Sequence, residues 1–376
     1  MSMGRSKPPF RAEHVGSLIR SDALIAARER AEKGEIESDE LERIQQAAIR
    51  EVVRLQEEVG LKLATDGEYN RQSWHRDFML KFRNVRMIPS KLTVRFHSAE
   101  GDRLHSPPTM QVTGKLARPN GGGIFVDDFK FLASVARATP KITLPSPTVM
   151  HFRGGRDAID AEAYPDINAF YDDLARLYRE EIRDLAAAGC RYLQIDEVNL
   201  AYLCDAELRK QVANIGEDPT TLPRTYARLL NATIKDRPRD MTACMHLCRG
   251  NFAGAWVADG GYEPIAELIF NEINMDGYFL EYDSARAGGF EPLRFLPKGK
   301  VAVLGLVTTK RGKLESKDEL KRRIDAASKH APLEQLALSP QCGFSSGIGG
   351  NTMDEEGEIA KLRLVVETAR EVWGST

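Results

Sequence analysis

Residues 245–251 read MHLCRGN, a histidine and a cysteine two positions apart after the apolar run TACM. On a strand, alternate side chains share a face, so His246 and Cys248 point the same way. An imidazole beside a thiolate suits a borderline-soft metal ion such as Zn2+. The pair alone does not establish a site, because buried cysteines and satisfied histidines are ordinary core residues. Glu281 in FLEYD and Cys342 in LSPQC add to it, each closing another apolar, strand-like run. His246, Cys248, Glu281 and Cys342 then form a donor set of the kind Zn2+ takes, drawn from separate strands rather than from a local CxxC ribbon. Cys244 shares the parity of the pair but lies two residues deeper. It reads as core, with a role as substitute ligand left open.

The elements that must gather these residues come from the pattern of the chain. Strand-like runs occur at 141–147, 191–198, 241–248, 277–283, 300–308 and 335–342. Amphipathic stretches such as 167–189 lie between them, with apolar residues every three or four positions, and Gly189 supplies a C-terminal stop. Alternation of this kind predicts βα units on a parallel sheet. Two earlier runs, 11–18 and 61–68, flank a long helical region at 22–59 and bring the strand count to eight. Eight units in 376 residues predict a TIM (β/α)8 barrel. A doubly wound sheet is the competing arrangement, but no Gly-rich dinucleotide fingerprint follows any strand. Residues 84–125 break the alternation and read as an antiparallel β excursion between the second and third units, with GGG at 121–123 as a corner. Without a repeat or Pro-rich linker, the chain reads as a single domain, 1–376, carrying that insertion.

Composition narrows the function classes. Lys plus Arg number 53 against 55 acidic residues, a net charge of −2 that gives no support to nucleic-acid or polybasic membrane binding. The opening MSMGRSKPPF has no apolar h-region, and no later stretch approaches the roughly 18 apolar residues of a membrane span. The expectation is a cytoplasmic protein. Its five cysteines, at 190, 204, 244, 248 and 342, suit core, metal or catalytic roles better than a disulfide framework.

In a barrel the active site forms where strands end at the C-terminal face. Those ends carry His14, Gly16 and Ser17; Asp66, Gly67 and Glu68; Ser146; Asp196, Glu197 and Asn199; His246 and Cys248; Glu281 and Asp283; Gln341 and Cys342. Strands buried on both faces need apolar residues, so this polar rim asks for a functional explanation.

EHVGSL (13–18), DGEYNR (66–71), HLCRGN (246–251), GGYEPIAE (260–267) and FLEYD (279–283) resemble the cobalamin-independent methionine synthase family. So do GGFEPLR (288–294), LGLVTTKRGKLESKDEL (304–320), LSPQCGFSS (338–346) and KLRLVVETAREVWG (361–374). The likeness spans almost the whole chain and is greatest to short, stand-alone relatives of that enzyme's catalytic C-terminal half. It implies a TIM barrel with zinc on His246, Cys248, Glu281 and Cys342, and an amino-acid thiol, homocysteine, on Ser17, Glu68 and Asp196. The methyl donor it implies is 5-methyltetrahydrofolate or a substitute. Asp196 and Glu68 suit a substrate ammonium, and Ser17 with nearby backbone N–H groups suits its carboxylate.

The sequence departs from the larger enzymes in three places. It shows no counterpart of their second, N-terminal barrel, which helps bind the folate. It reads Thr308-Thr309-Lys310 where they place a histidine after the seventh strand. Its third strand runs into PSPTVMHF (145–152) rather than a glycine-proline-valine-threonine loop. Two other functions stay open. One is epoxide opening by coenzyme M in the same superfamily, for which Arg20, Arg153, Arg156 and Arg249 are candidate sulfonate partners. The other is a non-catalytic zinc or thiol-binding protein. A homo-oligomer is neither required nor excluded.

Overall fold

The computed structural model describes residues 4–98, 101–120, 122–251, 254–347 and 353–376. Twelve strands are assigned among them: β1 Leu63–Ala64, β2 Arg83–Ile88, β3 Val94–Phe96, β4 Arg103–His105, β5 Thr109–Ala117 and β6 Thr139–Pro140, then β7 Ile142–Pro145, β8 Tyr192–Glu197, β9 Thr242–Leu247, β10 Gly277–Glu281, β11 Val301–Val307 and β12 Leu336–Pro340. Strands β7 to β12 make one parallel sheet in sequence order. Their residues are buried almost throughout, which is why they read as continuous apolar runs rather than as alternating ones.

Helices cover the sheet, and the protein has an α/β fold. Ile167–Ala187 is capped by the Asp166 side chain and ends just before Gly189, whose φ of +98° lets the chain turn into β8. Its buried face includes Phe170, Leu174, Leu177, Ile182 and Leu185, each contributing roughly 1.5–3 kcal/mol of apolar burial. The helical region expected over 22–59 is two helices, Asp22–Glu32 and Ser38–Glu58, separated at Gly34 with φ +70°. A left-handed backbone conformation there ends the first helix.

The first two expected strands are much reduced. β1 pairs in parallel with β6 over two residues, and Lys141 N donates to Ala64 O. Residues 11–18 contribute one parallel bridge, Ala12 to Leu338 on β12. The carbonyls beyond it are taken by side chains: Lys141 Nζ on His14, Gln194 Nε2 on Val15 and Thr65 Oγ1 on Gly16. Buried polar side chains thus replace the ladder a regular strand would form.

The excursion is antiparallel, as its alternation predicted. β2 pairs with β5 and β3 with β4. Its β3 edge is tied to the loop after β9, where His97 and Trp256 exchange backbone hydrogen bonds of 2.8 and 3.0 Å. The corner expected at 121–123 falls partly outside the described residues, at Gly121.

Candidate active site

His246 sits near the end of β9, Cys248 one residue past it, Glu281 is the last residue of β10, and Cys342 lies two residues beyond β12. β9 and β10 are sheet neighbours, and β11 alone separates β10 from β12. All four side chains are buried, and one ligand atom from each lies within 4.8 Å of the others. Cys248 Sγ and Cys342 Sγ are 3.5 Å apart. A tetrahedral zinc shell with bonds of about 2.0–2.3 Å puts its ligand atoms roughly 3.3–3.8 Å from one another. Among the described residues, neither ring nitrogen of His246 has a hydrogen-bond partner. A buried imidazole left that way costs free energy unless something else occupies it, and the two sulfurs and the carboxylate beside it are metal donors. The residues fit a zinc ion.

Local backbone chemistry aims these four side chains. Cys248 N donates to Glu197 O, prolonging the β8–β9 pairing by one step. Gly250 then turns with φ +82°, and its N–H points at Cys248 Sγ at 3.3 Å. Gly343 follows Cys342 because a Cβ there would sit 2.0 Å from Ser17 Oγ. Glu281 Oε1 accepts from Arg249 N at 2.9 Å, and Oε2 lies 3.2 Å from Arg286 Nη2.

The protonation states follow from this crowding. The hydrogen bond from Cys248, helped by His246, pulls the Cys342 thiol down to about 6. The same bond, with burial, pushes Cys248 well above the ordinary thiol range. Burial works to lower His246, but Cys342, Asp196 and Glu281 outweigh it and hold the imidazole above its usual value.

A cavity of about 1090 Å3 opens over this cluster, with Ser17, Glu68, Asp196, His246, Cys248 and Cys342 all on its wall. Asp196 is 6% exposed, and its Oδ1 accepts from Gln194 Nε2 at 2.7 Å. Burial, with the charge of Glu68 adding to it, pushes the Asp196 carboxyl up to about 7. Glu68 has φ +61°, a left-handed conformation uncommon outside glycine. Arg20 pins that turn by donating to Glu68 O and Arg71 O, and Thr143 Oγ1 donates to Glu68 Oε1 at 2.9 Å. Glu68 Oε2 has no hydrogen-bond partner among the described residues.

Other rim residues separate into structural and cavity-facing groups. Glu197 is absent from the cavity wall. It accepts from Ser146, Thr148, Asn199 and Leu200 and pins the loops after β7 and β8. Cys244 is buried beneath Gly277 and is not in the ligand cluster. Of the four candidate sulfonate arginines, Arg20 and Arg156 bond backbone carbonyls, Arg249 lies 4.2 Å over the Tyr262 ring, and Arg153 reaches the cavity. Sequence reasoning missed the outer wall, where Trp74, Met87, Phe96, Arg103, Leu104 and His105 stand. All but Trp74 lie in the alternating stretch 84–125, but nothing local says that they face the cavity.

Fold and site together define a parallel-sheet α/β protein with a buried His-Cys-Glu-Cys cluster under a large polar and aromatic pocket. The chain belongs to the cobalamin-independent synthase family, whose catalytic-domain model matches residues 10–371. It is 42% identical over 375 residues to the uncharacterized protein YxjG of Bacillus subtilis, covering 99% of this chain and 97% of that one. A solved structure from Listeria monocytogenes, ascribed to a vitamin-B12-independent methionine synthase, matches with TM-score 0.77 and 36% identity over 99% of this chain and all of that one. The 5-methyltetrahydropteroyltriglutamate–homocysteine methyltransferase of Thermotoga petrophila is 24% identical over 97% of this chain, which spans only 44% of that enzyme's length. Membership of this family supports a methyltransferase. Among the described residues, no helix is long and apolar enough to cross a membrane.

Proposed function

We propose that this chain is a zinc-dependent S-methyltransferase that makes methionine from homocysteine, with 5-methyltetrahydrofolate or a substitute donor. The observation that carries the reading is the convergence of His246, Cys248, Glu281 and Cys342, from three strand ends, to within 4.8 Å beside the cavity. We read the architecture as a closed (β/α)8 barrel in one domain, 1–376. Its first two strands would complete the ring through the Ala12–Leu338 bridge, the Leu18 N to Gly67 O bond and the β1–β6 pair.

His246, Cys248, Glu281 and Cys342 would hold the zinc, which would supply one thing, a lowered pKa for the substrate thiol near neutral pH. The chain's own residues do the rest. Asp196 and Glu68 hold the ammonium of the amino acid, and Ser17 stands on the same wall for its carboxylate. The sulfur attacks the donor methyl carbon, the bond from nitrogen to methyl breaks, and the electron pair stays on nitrogen, which takes up a proton. Lys310 borders the cavity, with its Nζ 2.9 Å from Asp283 Oδ2.

Alkylation of coenzyme M is the second reading, favoured by Arg153 on the cavity wall. Asp196 and Glu68 oppose it, because paired acids repel a sulfonate. One experiment separates these readings from a non-catalytic binder. Zinc content is measured first, then proton release and alkyl transfer with homocysteine and with coenzyme M. About one zinc per chain, about one proton released by homocysteine, and methionine as product are expected. Zinc without proton release from either thiol would leave only a binding protein.

A further inference from the structure

We infer that Arg286 is the positioning residue for Glu281, holding that carboxylate in one orientation as a ligand; the inference rests on reading the cluster as a metal site. A carboxylate ligand is free to rotate between one-oxygen and two-oxygen binding unless its oxygens are held. Glu281 is 0% exposed, so water has no open path to replace a lost donor. Its Oε1 takes the Arg249 N–H at 2.9 Å, and its Oε2 takes Arg286 Nη2 at 3.2 Å. One donor on each oxygen means that any rotation breaks a bond. Only the Arg286 bond comes from a side chain and carries charge.

Arg286 is itself tightly held. Nη2 also reaches Asp283 Oδ1 at 3.2 Å, Nη1 reaches Ala258 O at 3.5 Å, and the guanidinium lies 5.2 Å over the Trp256 ring. Asp283 also accepts from Thr308 and Lys310, both on its other oxygen, Oδ2, which holds the carboxylate that Arg286 leans on. Neither Glu281 nor Arg286 borders the cavity, whereas His246, Cys248 and Cys342 do. Arg286 therefore acts on the ligand from behind and does not touch substrate. Two thiolates and a carboxylate around a dication leave net negative charge in a buried place. A fixed cation against one of those anions offsets it.

The test is zinc affinity of the purified chain, stripped and retitrated against a chromophoric chelator, with Co2+ loading as a spectroscopic readout. Arg286→Gln should weaken zinc roughly 10- to 100-fold and shift the visible Co2+ bands. Arg286→Lys, which keeps a cation, should stay within a few-fold of wild type. Melting temperatures of the metal-free proteins are measured alongside, because Arg286→Gln also removes the partner of a buried carboxylate, and the zinc affinities are compared among variants that remain folded at the assay temperature. Asp283→Asn, which loosens Arg286 without touching Glu281, should give an intermediate loss, and it decides the matter with the lysine variant if the glutamine variant does not fold. Wild-type affinity and spectrum in Arg286→Gln, or a lysine variant as weak as the glutamine one, would overturn the assignment while leaving the proposed function standing. A wild-type protein that holds no zinc would overturn both.

Discussion

Replacing Asp196 by asparagine tests substrate recognition with the metal ligands untouched. The side chain lies on the cavity wall at 6% exposure, with Oδ1 already accepting from Gln194. The substitution keeps shape and hydrogen-bonding capacity and removes the charge. A charge-assisted hydrogen bond to an ammonium contributes about 1.5–3 kcal/mol, so affinity for the amino-acid head group should fall roughly ten- to a hundredfold. Methionine is the better probe, because it carries the head group without an ionisable thiol. The pH dependence sharpens the test. Burial and Glu68 push Asp196 up to about 7 in the empty, metal-free site, so its protonated fraction grows as pH falls through that value. Binding an ammonium must then expel the proton, and wild-type affinity should drop about tenfold for each pH unit below about 7. The asparagine variant should be nearly flat over the same range. Calorimetric titrations of methionine from pH 5.5 to 8.5 measure both effects, with zinc content checked in parallel. Equal affinity for the two proteins at pH 8, or parallel pH slopes, would refute the role of Asp196 and raise the coenzyme M reading.

Cys248→Ser and Cys342→Ser should each lose most of the bound zinc by elemental analysis; full zinc in both would move the site elsewhere. Cys244→Ser should keep its zinc and lower the melting temperature instead, because it puts a hydroxyl into a fully buried position. Glu358, whose Oε2 accepts from Ile19 N at 2.8 Å, is pushed up to about 8, chiefly by burial. A folded-state value above the unfolded 4.5 stabilises fully below pH 4.5, and that contribution is lost as pH rises through 8. Urea unfolding at pH 6 and pH 9 should therefore show a smaller loss of stability at pH 9 in Glu358→Gln than in wild type, and identical losses would contradict the argument.

How much of this was legible in the sequence varies by element. The six strands from 142 to 340 are short, mainly apolar runs bounded by turns, and local physics alone marks them. The segment 11–18 looked the same, yet forms a single bridge. Its carbonyls are claimed by Lys141, Gln194 and Thr65, which are 49 to 179 residues away in sequence. No periodicity within eight residues reports a competitor that distant.

The candidate site divides in the same way. Residue type and strand-end position single out His246, Cys248, Glu281 and Cys342 before any coordinates, because soft donors are conspicuous on apolar strands. Sequence also marks Asp196 and Glu197 together, and only the fold tells them apart. Consecutive strand residues face opposite ways, so Asp196 reaches the cavity while Glu197 ties down loops. Arg286 carries no mark at all in FLEYDSAR. Its importance comes from the 3.2 Å approach to Glu281 Oε2 and from the Trp256 ring beneath it, both set by how the loops after β9 and β10 pack. Donor chemistry is a property of a residue and can be read one letter at a time. The orientation of that donor depends on contacts between distant segments, and those exist only once the chain has folded.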